Sequence, residues 1–138
     1  MPLRILIVDD EAINLKLVSR LLEIEGYEVR SARSGEVALR LIEQTPPDLA
    51  LLDVRMPDME GYELCRRLRQ NPLTAGIPIV MLTALVDEND RLKGIEAGAD
   101  DCLPKPFDVE MLRTLLARLL HDRNLRGTVC SSPVCTCC

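Results

Sequence analysis

The chain has 138 residues, of which 47% are hydrophobic and 28% are charged, and its formal net charge is −5. This length suits one domain with a single core, and the acidic balance disfavours nucleic-acid binding by the domain itself, which usually requires a basic face. No apolar run is long enough to span a membrane, so we expect a cytoplasmic protein without a membrane partner.

Strand-like and helix-like segments alternate five times along the chain. Apolar runs predict strands at residues 3–8, 49–52 and 77–82, and shorter or more polar runs predict strands at 27–32 and 101–103. Helices are predicted at 12–24, at 35–44, after a loop that ends at residue 61, at 87–97 and at 108–121. Such alternation is typical of βαβ units and of a parallel sheet with helices on both faces.

The polarity of the strands predicts their order in the sheet. The apolar first, third and fourth strands belong in the middle, and the short or polar second and fifth strands belong at the edges. We therefore predict a doubly wound, flavodoxin-like α/β fold with a five-stranded parallel sheet of order 2-1-3-4-5 and five helices. Residues 1–124 are expected to form this domain, and residues 125–138 a disordered, cysteine-rich tail.

Two helices carry specific expectations about their buried faces. In the first helix, five apolar residues are predicted to share one face, namely Ile13, Leu17, Val18, Leu21 and Leu22. In the fourth helix, Leu92 and Ile95 are the expected core anchors, and Gly94 weakens the helix by about 1 kcal/mol relative to alanine. This helix is therefore expected to respond to an event at Thr83, although an ordinary solvated surface helix explains the same pattern equally well.

Residues that phosphate chemistry requires follow four of the predicted strands. The acidic run 9–11 follows the first strand, Asp53 the third, Thr83 the fourth and Lys105 the fifth. Ligands of open α/β sheets bind at the carboxyl ends of the strands, so these groups are expected to converge there. The sequence thus predicts one site built from acids, a hydroxyl and an ammonium group.

Oxygen ligands at this edge predict a Mg²⁺ site, because Mg²⁺ keeps several waters and needs only one or two carboxylates. Asp10 and Asp53 are the predicted direct ligands. Asp9 or Glu11 is expected to act through water, and the backbone carbonyl of Arg55 to supply a further ligand. The alternative is that Asp9 and Asp10 merely cap the first helix, but a cap explains one acid and does not explain Asp53 and Lys105 after separate strands.

Asp53 is the predicted nucleophile, because it lies centrally at the end of the third strand. Attack by a carboxylate on a phosphoryl group gives an acyl phosphate. Lys105 is expected to stabilise charge on the phosphoryl oxygens, and Thr83 to donate its hydroxyl to them.

Two other phosphate-binding classes fit the sequence less well. A flavodoxin-like mononucleotide binder should carry a Ser/Thr/Gly phosphate loop after its first strand, where this chain has acids. A haloacid-dehalogenase-type phosphatase would place its nucleophile in a D-x-D arrangement after the first strand, which leaves Asp53 unexplained.

The chain resembles response-regulator receiver domains of two-component signalling over about residues 2–121, in the segments LRILIVDDEAINLKLV, PDLALLDVRMPDMEGYELCRRLR, IPIVMLTAL and EAGADDCLPKPF. The resemblance implies that Asp9 and Asp10 form an acidic Mg²⁺ pocket and that Asp53 receives phosphate from a kinase's phosphohistidine. It implies that Thr83 and Lys105 sense the phosphoryl group. The chain is most similar to receivers of diguanylate-cyclase regulators and to single-domain cell-cycle regulators.

Cys102 departs from the pattern of that family, where most receivers carry an aromatic residue three positions before the lysine. The family's aromatic side chain swings inward when the threonine moves towards the phosphate, and a cysteine is too small to fill that space. We expect the loop 83–86 still to move, with a smaller packing response. Cys102 itself is expected to be a buried, inert thiol rather than a redox sensor.

The resemblance implies a phosphoacceptor regulatory domain rather than an enzyme, with a sensor histidine kinase or a phosphotransfer protein as partner. Output is expected through partner binding, or through an output domain if the chain is a fragment. A homodimer through the fourth helix, fifth strand and fifth helix stays open, as does an ordinary core role for the leucine stripe Leu112, Leu115, Leu116, Leu119 and Leu120. The alternative is a pseudo-receiver that acts by constitutive protein binding or dimerisation.

Overall fold

The computed structural model describes residues 3–56, 58–83, 88–104 and 109–126, with side chains described outside 88–91, 104 and 121–126. The strands are β1 (Arg4–Val8), β2 (Glu28–Ala32), β3 (Leu49–Asp53), β4 (Ile79–Thr83) and β5 (Asp101–Pro104). The helices are α1 (Ala12–Ile24), α2 (Gly35–Gln44), α3 (Gly61–Gln70), α4 (Glu88–Ala97) and α5 (Val109–Arg126). Residues 1–107 form one compact unit, and α5 belongs to a second.

The five strands form one parallel sheet of order β2-β1-β3-β4-β5, which confirms the predicted topology. Residues of β1, β3 and β4 are buried along almost the whole of each strand, as expected at the centre of a parallel sheet. The edge strand β2 instead exposes Arg30 and Ser31. The polarity of the strands therefore predicted their order in the sheet correctly.

Helices cover the sheet of the first unit from both faces. On one face, α2, α3 and α4 enclose a cluster of buried side chains with alternate strand residues, including Leu6, Val8, Ala50, Leu52, Ile79 and Met81. The helix α1 contacts β1 and β2 through Leu15, Val18 and Leu22, which do not belong to that cluster. The crossover from β1 to β2 moves across the sheet in the opposite direction to the later crossovers. Since β-α-β crossovers are right-handed, α1 lies on the opposite face from α2, α3 and α4.

The helix α1 carries apolar residues on two opposite faces, and the predicted buried face was partly wrong. Leu15, Val18 and Leu22 are buried, whereas Ile13 is 84% exposed and Leu17 is 58% exposed. At about 3.6 residues per turn, the two exposed residues lie roughly half a turn from the buried line. Either face satisfies a helical period, so periodicity alone could not identify the one that meets the sheet.

The helix α4 meets the sheet through small residues, and the predicted anchors Leu92 and Ile95 were wrong. Leu92 is 50% exposed and Ile95 is 60% exposed, while Gly94 and Ala97 are buried. A Cβ atom on Gly94 would lie 3.3 Å from the Sγ atom of Cys102 in β5. Because helix and strand approach this closely, only small residues fit at the contact, and the larger apolar side chains turn outward.

The helix α5 runs to Arg126 and so extends beyond its predicted end near residue 121. No glycine or proline interrupts it before Gly127, so nothing in the sequence stops it earlier. The leucines of the predicted stripe are all buried.

The expected tail, residues 125–138, lies outside the described residues apart from its first two residues, which are helical. Among the described residues, no helix combines the length and apolar character needed to cross a membrane.

One arginine joins the end of α3 to the turn between α4 and β5. Arg69 donates hydrogen bonds from all three of its guanidinium nitrogens, at distances between 2.5 and 3.0 Å. Its acceptors are the carbonyl oxygens of Ala75, Ile77 and Gly98 and the carboxylate of Asp100. The same carboxylate accepts the N–H of Ile79, so the network also fixes the start of β4.

We predict that Arg69→Met lowers the free energy of unfolding by about 2 kcal/mol, because it leaves several carbonyl groups and a carboxylate without their charged donor. The methionine keeps an unbranched apolar stem of similar length. Urea unfolding of the variant and the wild type measures the difference. Arg66→Met on the same helix is the control, since it removes only exposed contacts with Glu63 and should cost less than about 0.5 kcal/mol. Equal losses in the two variants would contradict the role of Arg69.

Candidate functional site

Three carboxylates meet at the carboxyl edge of the sheet. One carboxylate oxygen from each of Asp9, Asp10 and Asp53 lies within 4.8 Å of the other two. The register explains this meeting, because Val8 at the end of β1 pairs with Leu52, the residue before Asp53 in β3. The structure thus brings together the three acids that the sequence predicted.

The two neighbouring aspartates of this cluster have different surroundings. Asp9 has no exposed surface, and its oxygens accept hydrogen bonds from the backbone N–H of Glu11 at 3.0 Å and from Nδ2 of Asn14 at 2.5 Å. Asp9 therefore binds two groups at the start of α1, whose N-cap residue is Glu11, and it also belongs to the acidic cluster. Asp10 is exposed, and its backbone carbonyl accepts a hydrogen bond from Arg33.

Asp53 ends β3 and is nearly buried, with 7% of its surface exposed. The loop after it folds back, so that the backbone N–H of Arg55 donates to Oδ1 of Asp53 at 3.4 Å. The loop is closed at its ends, since Val54 donates to the carbonyl of Leu82 and Gly61 donates to the carbonyl of Val54. These contacts bring the backbone of Arg55 beside Asp53, next to the predicted metal site.

Gly61, the first residue of α3, touches the backbone of Asp53. A Cβ atom at this position would overlap the carbonyl oxygen of Asp53 and would lie 2.9 Å from Cε of Met81. The close approach requires glycine here, although the local sequence identifies it only as a loop residue. A helix therefore begins directly against the central acid of the cluster.

Thr83 is the last residue of β4 and is buried. In the register between β3 and β4, Asp53 pairs with Leu82, so Thr83 lies one position further along the neighbouring strand. Thr83 in turn pairs with Pro104, the residue before Lys105. Lys105 and residues 84–86, for which the sequence predicts roles in sensing the phosphoryl group, lie outside the described residues.

The two described cysteines belong to the core of the first unit, where Cys65 of α3 is part of the buried apolar cluster and Cys102 of β5 packs against it. Burial raises the pKa of the Cys65 thiol to about 11, so this thiol is unreactive at neutral pH. Cys102 is half-buried rather than fully buried as expected, and it pairs with Met81 in the register of β4 and β5. Neither cysteine forms a disulfide bond.

Three residues of the site were missed by sequence reasoning. Asn14 binds Asp9, Gly61 allows the approach of α3, and Asp58 accepts hydrogen bonds from the start of α2. Of these three, only Gly61 could be found from the local sequence, because it is a glycine directly before a helical pattern. The partners of the other two are set by tertiary contacts that the pattern does not encode.

The acidic cluster has the donor atoms that a divalent cation binds. Three like charges this close repel one another, and a hard cation with oxygen ligands relieves that repulsion. The described donor set is all oxygen, as Mg²⁺ prefers over nitrogen or sulfur ligands. The residues present therefore fit the predicted Mg²⁺ site.

Comparisons with known proteins agree with one another. The family model of the response regulator receiver domain matches residues 5–117. The chain is 46% identical over 112 residues to the response regulator PleD of Caulobacter vibrioides, a match that covers 81% of this chain and 25% of PleD. It is 45% identical over 118 residues to the DNA-binding dual master transcriptional regulator RpaA of Synechocystis sp., covering 86% of this chain and 49% of RpaA.

Solved structures with the same fold include the chemotaxis protein CheY4 of Vibrio cholerae, with a TM-score of 0.84 and 34% identity. That match covers 86% of this chain and 99% of CheY4. A CheY-like receiver domain protein of Methanospirillum hungatei gives a TM-score of 0.86 at 34% identity, over 92% of this chain and 100% of that protein. The chain thus covers nearly all of these two solved structures, but only a quarter to a half of the curated relatives named above.

We predict that Gly61→Ala destabilises the fold by about 1–3 kcal/mol, because the added methyl group must displace the backbone of Asp53. Helix propensity alone predicts the opposite, since alanine is the better helix former. Gly76→Ala is the matched control, because no atom lies within 4 Å of the position its Cβ would take. Urea unfolding compares the two variants. A stabilised Gly61→Ala protein would show that the approach of α3 to Asp53 is not a tight constraint.

Proposed function

This chain belongs to the response regulator receiver domain family, and from that premise we propose that Asp53 accepts a phosphoryl group and so switches the chain between two signalling states. Receivers of this family are regulatory phosphoacceptor domains that histidine kinases phosphorylate. The observation that carries the proposal is the gathering of Asp9, Asp10 and Asp53 at the carboxyl edge of the sheet, beside Thr83 on the next strand.

The proposed transfer requires a positioned carboxylate and little further covalent chemistry. A carboxylate oxygen of Asp53 forms a bond to phosphorus as the bond from phosphorus to the phosphohistidine nitrogen breaks. That nitrogen leaves with the electron pair and takes up a proton, and the product is an acyl phosphate. Since Asp53 keeps little exposed surface, the donor must approach along the carboxyl edge.

Mg²⁺ at the acidic cluster is part of the proposal, with Asp10, Asp53 and the backbone carbonyl of Arg55 as direct ligands and Asp9 acting through water. Both oxygens of Asp9 already accept hydrogen bonds from the start of α1, which favours Asp10 for direct ligation. When bound, Mg²⁺ supplies positive charge that offsets repulsion between the carboxylates and the phosphoryl oxygens.

Thr83 and Lys105 are the proposed partners of the phosphoryl oxygens, through a hydroxyl donor and an ammonium charge. Cys102 packs beneath α4 at Gly94, where a family aromatic residue would need more space. We therefore propose a small adjustment of packing under α4 as the response, in place of the rotation of an aromatic ring.

The proposed partner is a sensor histidine kinase or a phosphotransfer protein, and output is proposed to follow from binding of a further protein or from an output domain. A homodimer through α4, β5 and α5 stays a prediction. A cytoplasmic location is part of the proposal, in keeping with the reduced state of Cys65 and Cys102, which form no disulfide bond.

An exposed apolar stripe on α1 fits a protein phosphodonor. Ile13, Leu17 and Ile24 share the outer face of α1, and Ile24 is 70% exposed. The helix begins directly after the acidic run 9–11, so a protein that delivers a phosphoryl group to Asp53 reaches across its start. We propose that this stripe packs against an apolar helix face of the phosphodonor protein.

We expect incubation with Mg²⁺ and acetyl phosphate to add the mass of one phosphoryl group to the wild-type chain and none to Asp53→Asn. Intact-mass spectrometry under reducing conditions measures the gain. The asparagine variant keeps the size of the side chain but lacks the nucleophilic carboxylate. If the wild type binds Mg²⁺ and gains no mass, the chain is a pseudo-receiver that acts by binding alone.

Leu17→Gln should reduce labelling by a histidine kinase that labels the wild-type chain by about tenfold, as expected for loss of a buried interface contact of 1.4 kcal/mol. Labelling by acetyl phosphate should stay unchanged, since the small donor does not touch α1. Leu73→Gln is the control, because Leu73 is similarly exposed, at 56% against 58% for Leu17, but lies in the turn after α3. Equal kinase labelling of both variants would exclude the stripe as the docking surface.

A further inference from the structure

The side chain of Asp58 joins the loop between β3 and α3 to the start of α2. Its Oδ1 atom accepts the backbone N–H of Gly35 at 3.0 Å, and its Oδ2 atom accepts the N–H of Glu36 at 2.9 Å. Gly35 and Glu36 are the first two residues of α2, whose N–H groups have no partner within the helix. The contact joins segments that are more than 20 residues apart in sequence.

A second contact joins the same two segments. A Cβ atom on Gly35 would lie 2.5 Å from Cγ and 2.6 Å from Sδ of Met59, so the methionine side chain lies directly against the glycine. Adjacent residues of the loop thus supply a polar and an apolar contact to the start of α2. A residue larger than glycine at position 35 would force the Met59 side chain to move.

Capping of α2 does not by itself account for Asp58. Ser34 is already the N-cap residue of α2, and its Oγ atom accepts the N–H of Val37 at 3.2 Å. The N–H groups of Glu36 and Gly35 hold the pKa of the Asp58 carboxyl below its usual range, so the side chain is a carboxylate at neutral pH. Its charge also lies at the positive end of the helix dipole.

The held loop is the one that shapes the acidic cluster. Between its closed ends at Val54 and Gly61 lies Arg55, whose N–H donates to Asp53. The segment before α2 reaches the same cluster from the other side, because Arg33 donates to the backbone carbonyl of Asp10 at 3.4 Å. The contacts of Asp58 and of Arg33 therefore connect the start of α2 and the segment before it to the two loops that carry Arg55 and Asp10.

We propose that Asp58 is a positioning residue for the metal and phosphoryl site. By binding the start of α2, it keeps the loop between β3 and α3 in the conformation that holds Arg55 beside Asp53. The inference rests on the proposed function, since it assigns Asp58 a part in preparing that same site. Asp58 does not touch the reacting atoms, and its effect passes through the loop backbone.

The test compares Mg²⁺ binding by the wild type with binding by Asp58→Ala, Asp58→Asn and Ser34→Ala. Amide NMR spectra recorded during a MgCl₂ titration give the dissociation constant, and the spectra without Mg²⁺ report the environment of Arg55. Ser34→Ala is the matched control, because it removes a hydrogen bond at the start of α2 and leaves the loop contacts in place. Urea unfolding checks that all variants are folded.

We expect Asp58→Ala to weaken Mg²⁺ binding by about tenfold, the lower end of the range for groups that orient metal ligands. Asp58→Asn, which keeps one acceptor oxygen, should lose less, and Ser34→Ala should bind Mg²⁺ as the wild type does. The Arg55 amide should shift only in the Asp58 variants. A loss in Asp58→Ala no larger than that in Ser34→Ala would overturn the proposal and leave Asp58 as a helix cap.

Acetyl phosphate labelling of the wild type separates the two proposals. If the wild type binds Mg²⁺ but is not phosphorylated, the proposed function fails while the effect of Asp58 on the metal site can still hold. If the wild type is phosphorylated and Asp58→Ala matches Ser34→Ala in Mg²⁺ affinity, only the role of Asp58 fails.

Discussion

The parallel register of β1, β3 and β4 is the constraint on which the site depends. It aligns the carboxyl ends of three strands that are buried along almost all of their length, so the residues at those ends must meet. Asp9, Asp53 and Thr83 could not be moved apart without breaking a ladder of backbone hydrogen bonds in the core. The stable centre of the sheet thus holds together carboxylates that would otherwise repel one another.

Close backbone approach is the second requirement, and glycine meets it at the edges of the site. Gly61 lets α3 begin against the carbonyl of Asp53, and Gly35 lets Met59 lie across the start of α2. In both places the neighbouring backbone or side chain occupies the position of a missing Cβ. The conformation of the loop that carries Arg55 therefore depends on close packing against its neighbours as well as on its hydrogen bonds.

Prediction from the sequence succeeded where burial alone decided the structure, and it failed where two faces of a helix were equally apolar. Burial on both faces made the central strands unambiguous, and the placement of Asp53 followed from them. In α1, however, Ile13 and Leu17 satisfy the helical period as well as Leu15 and Val18 do, and only the sheet decides which pair is buried. The contact of Asp58 with α2 depends on tertiary structure that no local pattern contains.

The small contact surface of α4 gives a physical reason for the weakness that the sequence suggested. The buried residues described in this helix are Gly94 and Ala97, which bury little apolar area, whereas Leu92 and Ile95 face solvent. Hydrophobic stabilisation scales with the apolar area removed from water, so a shift of α4 costs less than a shift of α3, which buries Leu64 and Leu68. The glycine matters here because it brings the helix close to Cys102, and its low helix propensity is secondary. Arg69 holds the turn after α4 through the carbonyl of Gly98. Held at that end and weakly packed over its described residues 92–97, α4 can shift at a lower cost in buried apolar area than α3.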